Sequence, residues 1–129
     1  MIRVSIKTNL RKEAIDITEI VKKHVKNIKN GIAVVYVPHT TAGIAINEAC
    51  DPSVAEDIIE TLSKLIPYSG SYKHLEGNAD AHIQSTITGN SIQIIIQNGQ
   101  LQLGRWQGIF FLEFDGPRHR EIYIKTIEG

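Results

Sequence analysis

A chain of 129 residues is long enough for one domain with a conventional hydrophobic core. Its 14 basic and 14 acidic residues cancel, which excludes the broad electrostatic attraction of a general nucleic-acid or anionic-membrane binder, so any anion must be held locally. Cys50 is the only cysteine, which excludes an internal disulfide and a cysteine-rich zinc site.

Residues 2–8 alternate polar with apolar and predict a strand, a pattern unlike the continuous apolar core of a signal peptide. No later apolar run approaches the ~20 residues of a membrane span, and a cytoplasmic location is expected. Asp16 or Thr18 can cap a helix with Val21, Val25 and Ile28 on one face, ending near Asn30 and Gly31. Residues 32–37 read as a buried strand stopped at Pro38, and extended structure resumes at Ile44 after the polar connection His39-Thr40-Thr41. Asp51 followed by Pro52 marks the start of an amphipathic helix carrying Ile58, Leu62 and Leu65, which ends near Ile66.

Residues 67–78 are polar, rich in Gly and Pro, and long enough to cover a site; they carry His74. Residues 79–88 fit either a strand or a helix, and the helix, capped by Asn78, is the preferred reading. Ser91 to Gln97 is a strand, Asn98-Gly99 a hairpin turn, and Gly104 to Arg120 a long aromatic strand, with Glu121 to Ile127 closing the sheet. Two or three helices against a mostly antiparallel sheet make an α+β fold in a single compact domain.

Several polar groups need partners or a ligand. Along the 104–120 strand, alternation places Trp106, Gly108, Phe110, Leu112 and Phe114 on a core face, and Arg105, Gln107, Ile109, Phe111 and Glu113 on the other. Polar groups buried there cost about 1–3 kcal/mol each if left unpaired. His39-Thr40-Thr41-Ala42-Gly43 offers an imidazole, hydroxyls and backbone amides to an anion, or is an ordinary Thr-rich turn. Helical spacing aligns Asn78, His82 and Ser85, and this face can meet His39. His39, His74 and His82 together would suit zinc or a similar divalent ion; magnesium would prefer carboxylates such as Glu48 and Asp51, although Asp51 is already needed as a cap. Arg118 and Arg120 share one side of an extended segment, so they either clamp a phosphate or pair with Glu113 and Asp115.

Taken in order, His39-Thr40-Thr41-Ala42-Gly43, residues 46–52, Asn78-Ala79-Asp80-Ala81-His82, Leu103-Gly104-Arg105-Trp106-Gln107-Gly108-Ile109, Glu113, Gly116-Pro117-Arg118 and Arg120 resemble the YjbQ-like family over nearly the whole chain. The resemblance implies an α+β fold that assembles as a homotrimer with its site near subunit boundaries. It also implies a secondary thiamine-phosphate synthase activity, joining a hydroxymethylpyrimidine diphosphate to a thiazole phosphate. On that expectation Thr40, Thr41, Asn78, Ser85, Arg118 and Arg120 bind phosphate or substrate, His39 and His82 handle protons or an ion, and Gln107 and Glu113 orient the pyrimidine. The alternatives are a metal-dependent hydrolase or lyase of a small phosphorylated metabolite, and a non-enzymatic trimeric protein that binds a small anion.

Overall fold

A computed structural model describes residues 1–129, which form two antiparallel sheets and three helices. The strands are β1 (Ile2–Lys7), β2 (Glu13–Asp16), β3 (Gly31–Tyr36), β4 (Ala42–Glu48), β5 (Ser91–Gln97), β6 (Gln100–Leu101), β7 (Gln107–Glu113) and β8 (His119–Glu128). The helices are α1 (Thr18–Val25), α2 (Pro52–Leu65) and α3 (Ala79–Thr88). One sheet runs β1-β8-β3-β5-β6 and the other β2-β7-β4. No helix is long and apolar enough to cross a membrane.

The two sheets enclose the main core. Ala33, Val35, Ile94, Ile96, Ile122 and Ile124 of the five-stranded sheet meet Ile44, Ile109 and Phe111 of the three-stranded one, with Val21 and Val25 of α1 closing one end. On the other side of the three-stranded sheet, Phe110, Leu112 and Phe114 pack with Ala81 of α3 and with Ala55, Ile59 and Leu62 of α2. Strand β7 is therefore the middle layer, and every residue from Gly108 to Glu113 is buried. Burial on both faces favours a near-continuous apolar run over alternation. This corrects the expected division into one core face and one polar face: Ile109 and Phe111 are core just as Phe110 and Leu112 are.

Three further expectations are corrected. The 104–120 stretch is not one strand: it turns at residues 114–118, and Arg118 precedes β8 rather than lying within a strand. Trp106 is 52% exposed in the turn before β7 instead of packing in the core. The Asn98-Gly99 turn, with φ of +53° and +75°, leads only into the two-residue β6, after which the chain crosses to the other sheet.

Helix α2 begins as expected, with the Asp51 carboxylate accepting from the Ser53 N–H at 3.0 Å. For α1, neither Asp16 nor Thr18 caps: Ile17 holds the cap position without a side-chain bond, and the helix ends at Val25, short of Asn30. Asp16 closes a local turn, accepting from the Thr18 N–H at 2.9 Å, and belongs to β2, which the sequence pattern missed. Residues 79–88 are helical, as preferred; Asn78 sits at the cap position but makes no capping bond, because its side chain is engaged elsewhere.

Candidate functional site

The C-terminal end of α3 is stitched to the strands beside it. The Val37 N–H donates to the Asn90 carbonyl at 2.7 Å, the Ile44 N–H to the Gly89 carbonyl at 3.1 Å, and the Ser85 hydroxyl to the Ala42 carbonyl at 2.6 Å. Two glycines permit this approach. A Cβ on Gly43 would lie 2.5 Å from the Thr88 Oγ1 and 2.8 Å from the Gly89 carbonyl oxygen, and Gly89 itself has a φ of +91°. The β3–β4 connection and α3 thus flank a cleft of about 450 Å³ lined by His39, Thr40, His82, Ser85, Thr86 and Asn90, with no apolar residue in its wall.

His39 is fixed in one tautomer. Its Nε2 accepts from the Glu121 backbone N–H at 2.9 Å. An amide N–H can only donate, so Nε2 carries the lone pair and the neutral ring bears its proton on Nδ1. Burial and the nearby Arg120 guanidinium hold the His39 pKa below its ordinary 6.5. The Glu121 amide favours the same neutral form, since a proton on Nε2 would set donor against donor. Nδ1 has no partner within the chain, and no buried side-chain nitrogen or oxygen lacks one, so Nδ1 is an accessible, uncharged donor.

Behind His39 lies a closed polar centre. Arg120 donates from Nε to Glu113 Oε1 at 2.9 Å, and from Nη2 to Glu113 Oε2 and to the Thr41 hydroxyl at 2.8 Å. Glu113, 0% exposed, also accepts from the Thr8 hydroxyl at 2.7 Å and from the Asp115 N–H at 3.1 Å. Burial opposes ionisation of Glu113, but the bonds from Arg120, Thr8 and Asp115 outweigh it and hold the carboxyl below its usual range. Arg120 Nη1 alone makes no hydrogen bond and, by the same reasoning as for Nδ1 of His39, is not enclosed.

These contacts decide between the sequence alternatives. Arg118 and Arg120 do not form a clamp: Arg118, half exposed, donates to the Asp115 carboxylate at 3.0 Å and to the Asp115 carbonyl at 2.7 Å, while Arg120 is consumed by Glu113 and Thr41. The Thr41 hydroxyl is likewise turned inward, and that of Ser85 is spent on Ala42, although Ser85 still lines the cleft. Gln107 accepts from the Gly104 N–H at 2.7 Å and closes its own turn. It stands at the opposite end of β7 from Glu113, ~20 Å away at the usual rise of a strand. The structure brings together His39, Thr40, His82 and Ser85, as expected; Thr86 and Asn90 join them. Thr86 lies four residues after His82, so its helical face was open to inspection once the helix was chosen.

His74 and His82 stand edge to face with ring centroids 5.1 Å apart. They do not form a metal triad with His39: no three His, Cys, Asp or Glu are grouped to hold an ion, and the His39 Nε2 lone pair is taken by Glu121 while Nδ1 bears a proton. The residues of one chain therefore do not fit the expected three-histidine ion. His74 instead contacts the Asn78 side chain at 2.9 Å, and Asn78 donates to Asp115 at 2.9 Å. A further network escaped the sequence reading. Asp80, 0% exposed, binds Arg11 through both carboxylate oxygens at 3.2 Å and Lys12 at 2.8 Å, anchoring α3 to the β1–β2 connection.

The family described as UPF0047 protein YjbQ-like matches residues 2–129. A UPF0047 protein of Methanocaldococcus jannaschii is 57% identical over 98% of this chain and 94% of its own length. The UPF0047 protein YugU of Bacillus subtilis is 47% identical over 96% of each chain. Among solved structures, an uncharacterised protein of the YjbQ/UPF0047 family from Clostridium acetobutylicum superposes with a TM-score of 0.96 at 53% identity, covering 98% of this chain and 100% of that one. A conserved hypothetical protein from Thermus thermophilus gives a TM-score of 0.93 at 37% identity, covering 98% and 100%.

Proposed function

The chain belongs to the UPF0047 YjbQ-like family, and from that premise we propose that its polar cleft binds a small phosphorylated metabolite and acts as a thiamine-phosphate synthase-like transferase. The observation that carries this reading is the neutral His39, whose Nδ1–H opens on a cleft of hydroxyl and amide groups with the Arg120 charge behind it. In the reaction, the bond between the methylene carbon of a hydroxymethylpyrimidine and its diphosphate oxygen breaks, and the electron pair leaves with the oxygen. The lone pair of a thiazole phosphate nitrogen then forms the new carbon–nitrogen bond. No proton abstraction is required, so the demand is for donors aimed at the departing oxyanion in a site poor in water. Thr40, Asn90 and the Nδ1–H of His39 supply them, since the Thr86 hydroxyl is spent on the His82 carbonyl at 2.9 Å, and the free Nη1 of Arg120 adds charge. The roles first assigned to Arg118, Thr41 and Gln107 pass to these groups.

The chain acts in the cytoplasm in this reading, as a homotrimer. Support for self-association comes from the outer face of the five-stranded sheet, where Ile127, Ile32 and Ile95 form one row across three strands and are 57%, 39% and 61% exposed. A metal-dependent hydrolase or lyase is the weaker reading, because His39 presents a proton rather than a lone pair to the cleft.

The test is a defined mixture of pure protein, hydroxymethylpyrimidine diphosphate and thiazole phosphate. Release of diphosphate in step with thiamine phosphate, lost in His39→Gln and kept in Arg118→Ala, is expected. Binding of the diphosphate without any turnover would overturn the transferase reading and leave a small-anion-binding protein.

A further inference from the structure

Strand β3 ends unevenly on its two sides. Towards β5 the ladder runs on past Tyr36, since the Val37 N–H donates to the Asn90 carbonyl at 2.7 Å. Successive residues of a strand turn their backbone groups to opposite sides, so Tyr36 and Pro38 face β8. Across from them, the Thr8 N–H donates to the Arg118 carbonyl at 3.0 Å, which turns Arg118 and Arg120 to β1 and leaves Glu121 and Tyr123 facing β3. Ile127, Lys125 and Tyr123 pair with Ile32, Val34 and Tyr36, and the next rung in that register would join Glu121 to Pro38. The ladder stops short of that rung, and the Glu121 N–H donates instead to His39 Nε2 at 2.9 Å. We propose that Pro38 is a positioning residue of the polar cleft: by breaking the β3–β8 ladder at this rung, it leaves the Glu121 amide free to hold the His39 ring. Its bearing on activity rests on the reading that the cleft receives a phosphorylated ligand.

The chemistry of proline explains the exchange. With an N–H at position 38, two hydrogen bonds would close the rung: the Glu121 amide to the carbonyl of residue 38, and the N–H of residue 38 to the Glu121 carbonyl. Proline has no N–H to give, and its ring fixes φ at about −65°, against about −140° in an antiparallel strand. The Glu121 amide is therefore left without its ladder partner one residue before an imidazole, and it takes the Nε2 lone pair. Because an amide can only donate, that one contact settles the ring as the tautomer with its proton on Nδ1. The same strand end sets a second wall of the cleft, since Val37 holds the Asn90 backbone. Pro38 itself is not among the residues lining the cleft; it acts through Glu121 and His39. A proline that merely ended the strand would have no influence on the imidazole.

The test is Pro38→Ala in the full chain, followed by NMR of the imidazoles and of the Glu121 amide at pH 7. The unmodified protein should show a scalar coupling across the hydrogen bond from the Glu121 amide nitrogen to His39 Nε2, and a single His39 tautomer. In Pro38→Ala that coupling should vanish, the Glu121 amide should couple instead to the carbonyl carbon of residue 38, and His39 should populate both tautomers. Pro38→Val, which favours the extended strand more strongly, should do the same, and unshifted amide signals along the β1–β8 ladder show that a variant is folded. Inorganic phosphate should bind each variant about fivefold more weakly, the loss of one oriented donor. In the transfer assay kcat/KM should fall about tenfold. A His39 ring that keeps its Nδ1 proton and its coupling to Glu121 in the folded variants would overturn the proposal, as would the absence of that coupling from the unmodified protein. Release of the His39 ring in the variants of a protein that never turns over would refute the transferase reading and leave the role of Pro38 intact; turnover with the ring unmoved in the variants would do the reverse.

Discussion

Arg120 and Glu121 are neighbours in sequence, yet they serve two regions built on opposite terms. The Arg120 guanidinium closes a buried centre with Glu113, Thr41 and Thr8 in which every carboxylate oxygen has two partners. The Glu121 amide faces the other way and holds His39 so that its remaining nitrogen is left without one. In the first region polar groups satisfy one another, and the product is a fixed scaffold. In the second they are held apart, and the product is an unfilled donor set. Residue type alone does not separate the two, since each contains charged or titratable side chains beside threonines.

The sharpest way to break the contrast is to remove half of the buried pair. Glu113→Ala strands the Arg120 charge and should cost about 3–5 kcal/mol in denaturant unfolding, whereas replacing both by apolar residues, Glu113→Leu with Arg120→Met, should cost much less than the sum of the single changes. A loss under about 1 kcal/mol for Glu113→Ala would mean that the centre is not the scaffold described. The cleft should behave in the reverse manner. His39→Gln should lower transfer turnover by about 10²-fold, measured as diphosphate release, with unfolding stability changed by less than about 1 kcal/mol.

Acidity separates the regions again. His39 is held below its ordinary 6.5, so the unfolded chain binds its proton first; the stability it confers is complete above pH 6.5 and is lost as pH falls from there towards its depressed value. Glu113 and Asp80 are held below the ordinary carboxyl values of 4.5 and 3.8, and their contribution is lost only as pH falls through those values and below. Melting temperature should therefore decline in two stages on acidification, and His39→Gln should erase the first and keep the second. The smallest effect is expected from Arg118→Ala: its pairing with Asp115 is half exposed, and stability should shift by less than about 1 kcal/mol, with turnover unchanged.

The sequence made the α+β class, the Asp51-capped helix and the Asn98-Gly99 turn legible, because each rests on a local pattern or a turn chemistry carried by a few adjacent residues. The cleft was partly legible: His39 and His82 could be paired once residues 79–88 were read as helix. What stayed hidden was set by tertiary contact. The alternation of β7 gave no warning that α2 and α3 cover its second face, so Phe110 and Phe111 read as opposites although both are core. Arg118 and Arg120 looked equivalent by spacing, but the turn at 114–118 separates them and directs one outward and one inward. Asp80 gave no sign of burial, since its partners Arg11 and Lys12 lie about 70 residues earlier in the chain.

The state of the His39 ring tests the account most directly. A long-range proton–nitrogen NMR spectrum of the imidazoles at pH 7 should show His39 neutral with its proton on Nδ1, and added inorganic phosphate should shift that nitrogen equally in the unmodified protein and in Arg118→Ala. A charged His39, a proton on Nε2, or a phosphate response that disappears with Arg118 would contradict it.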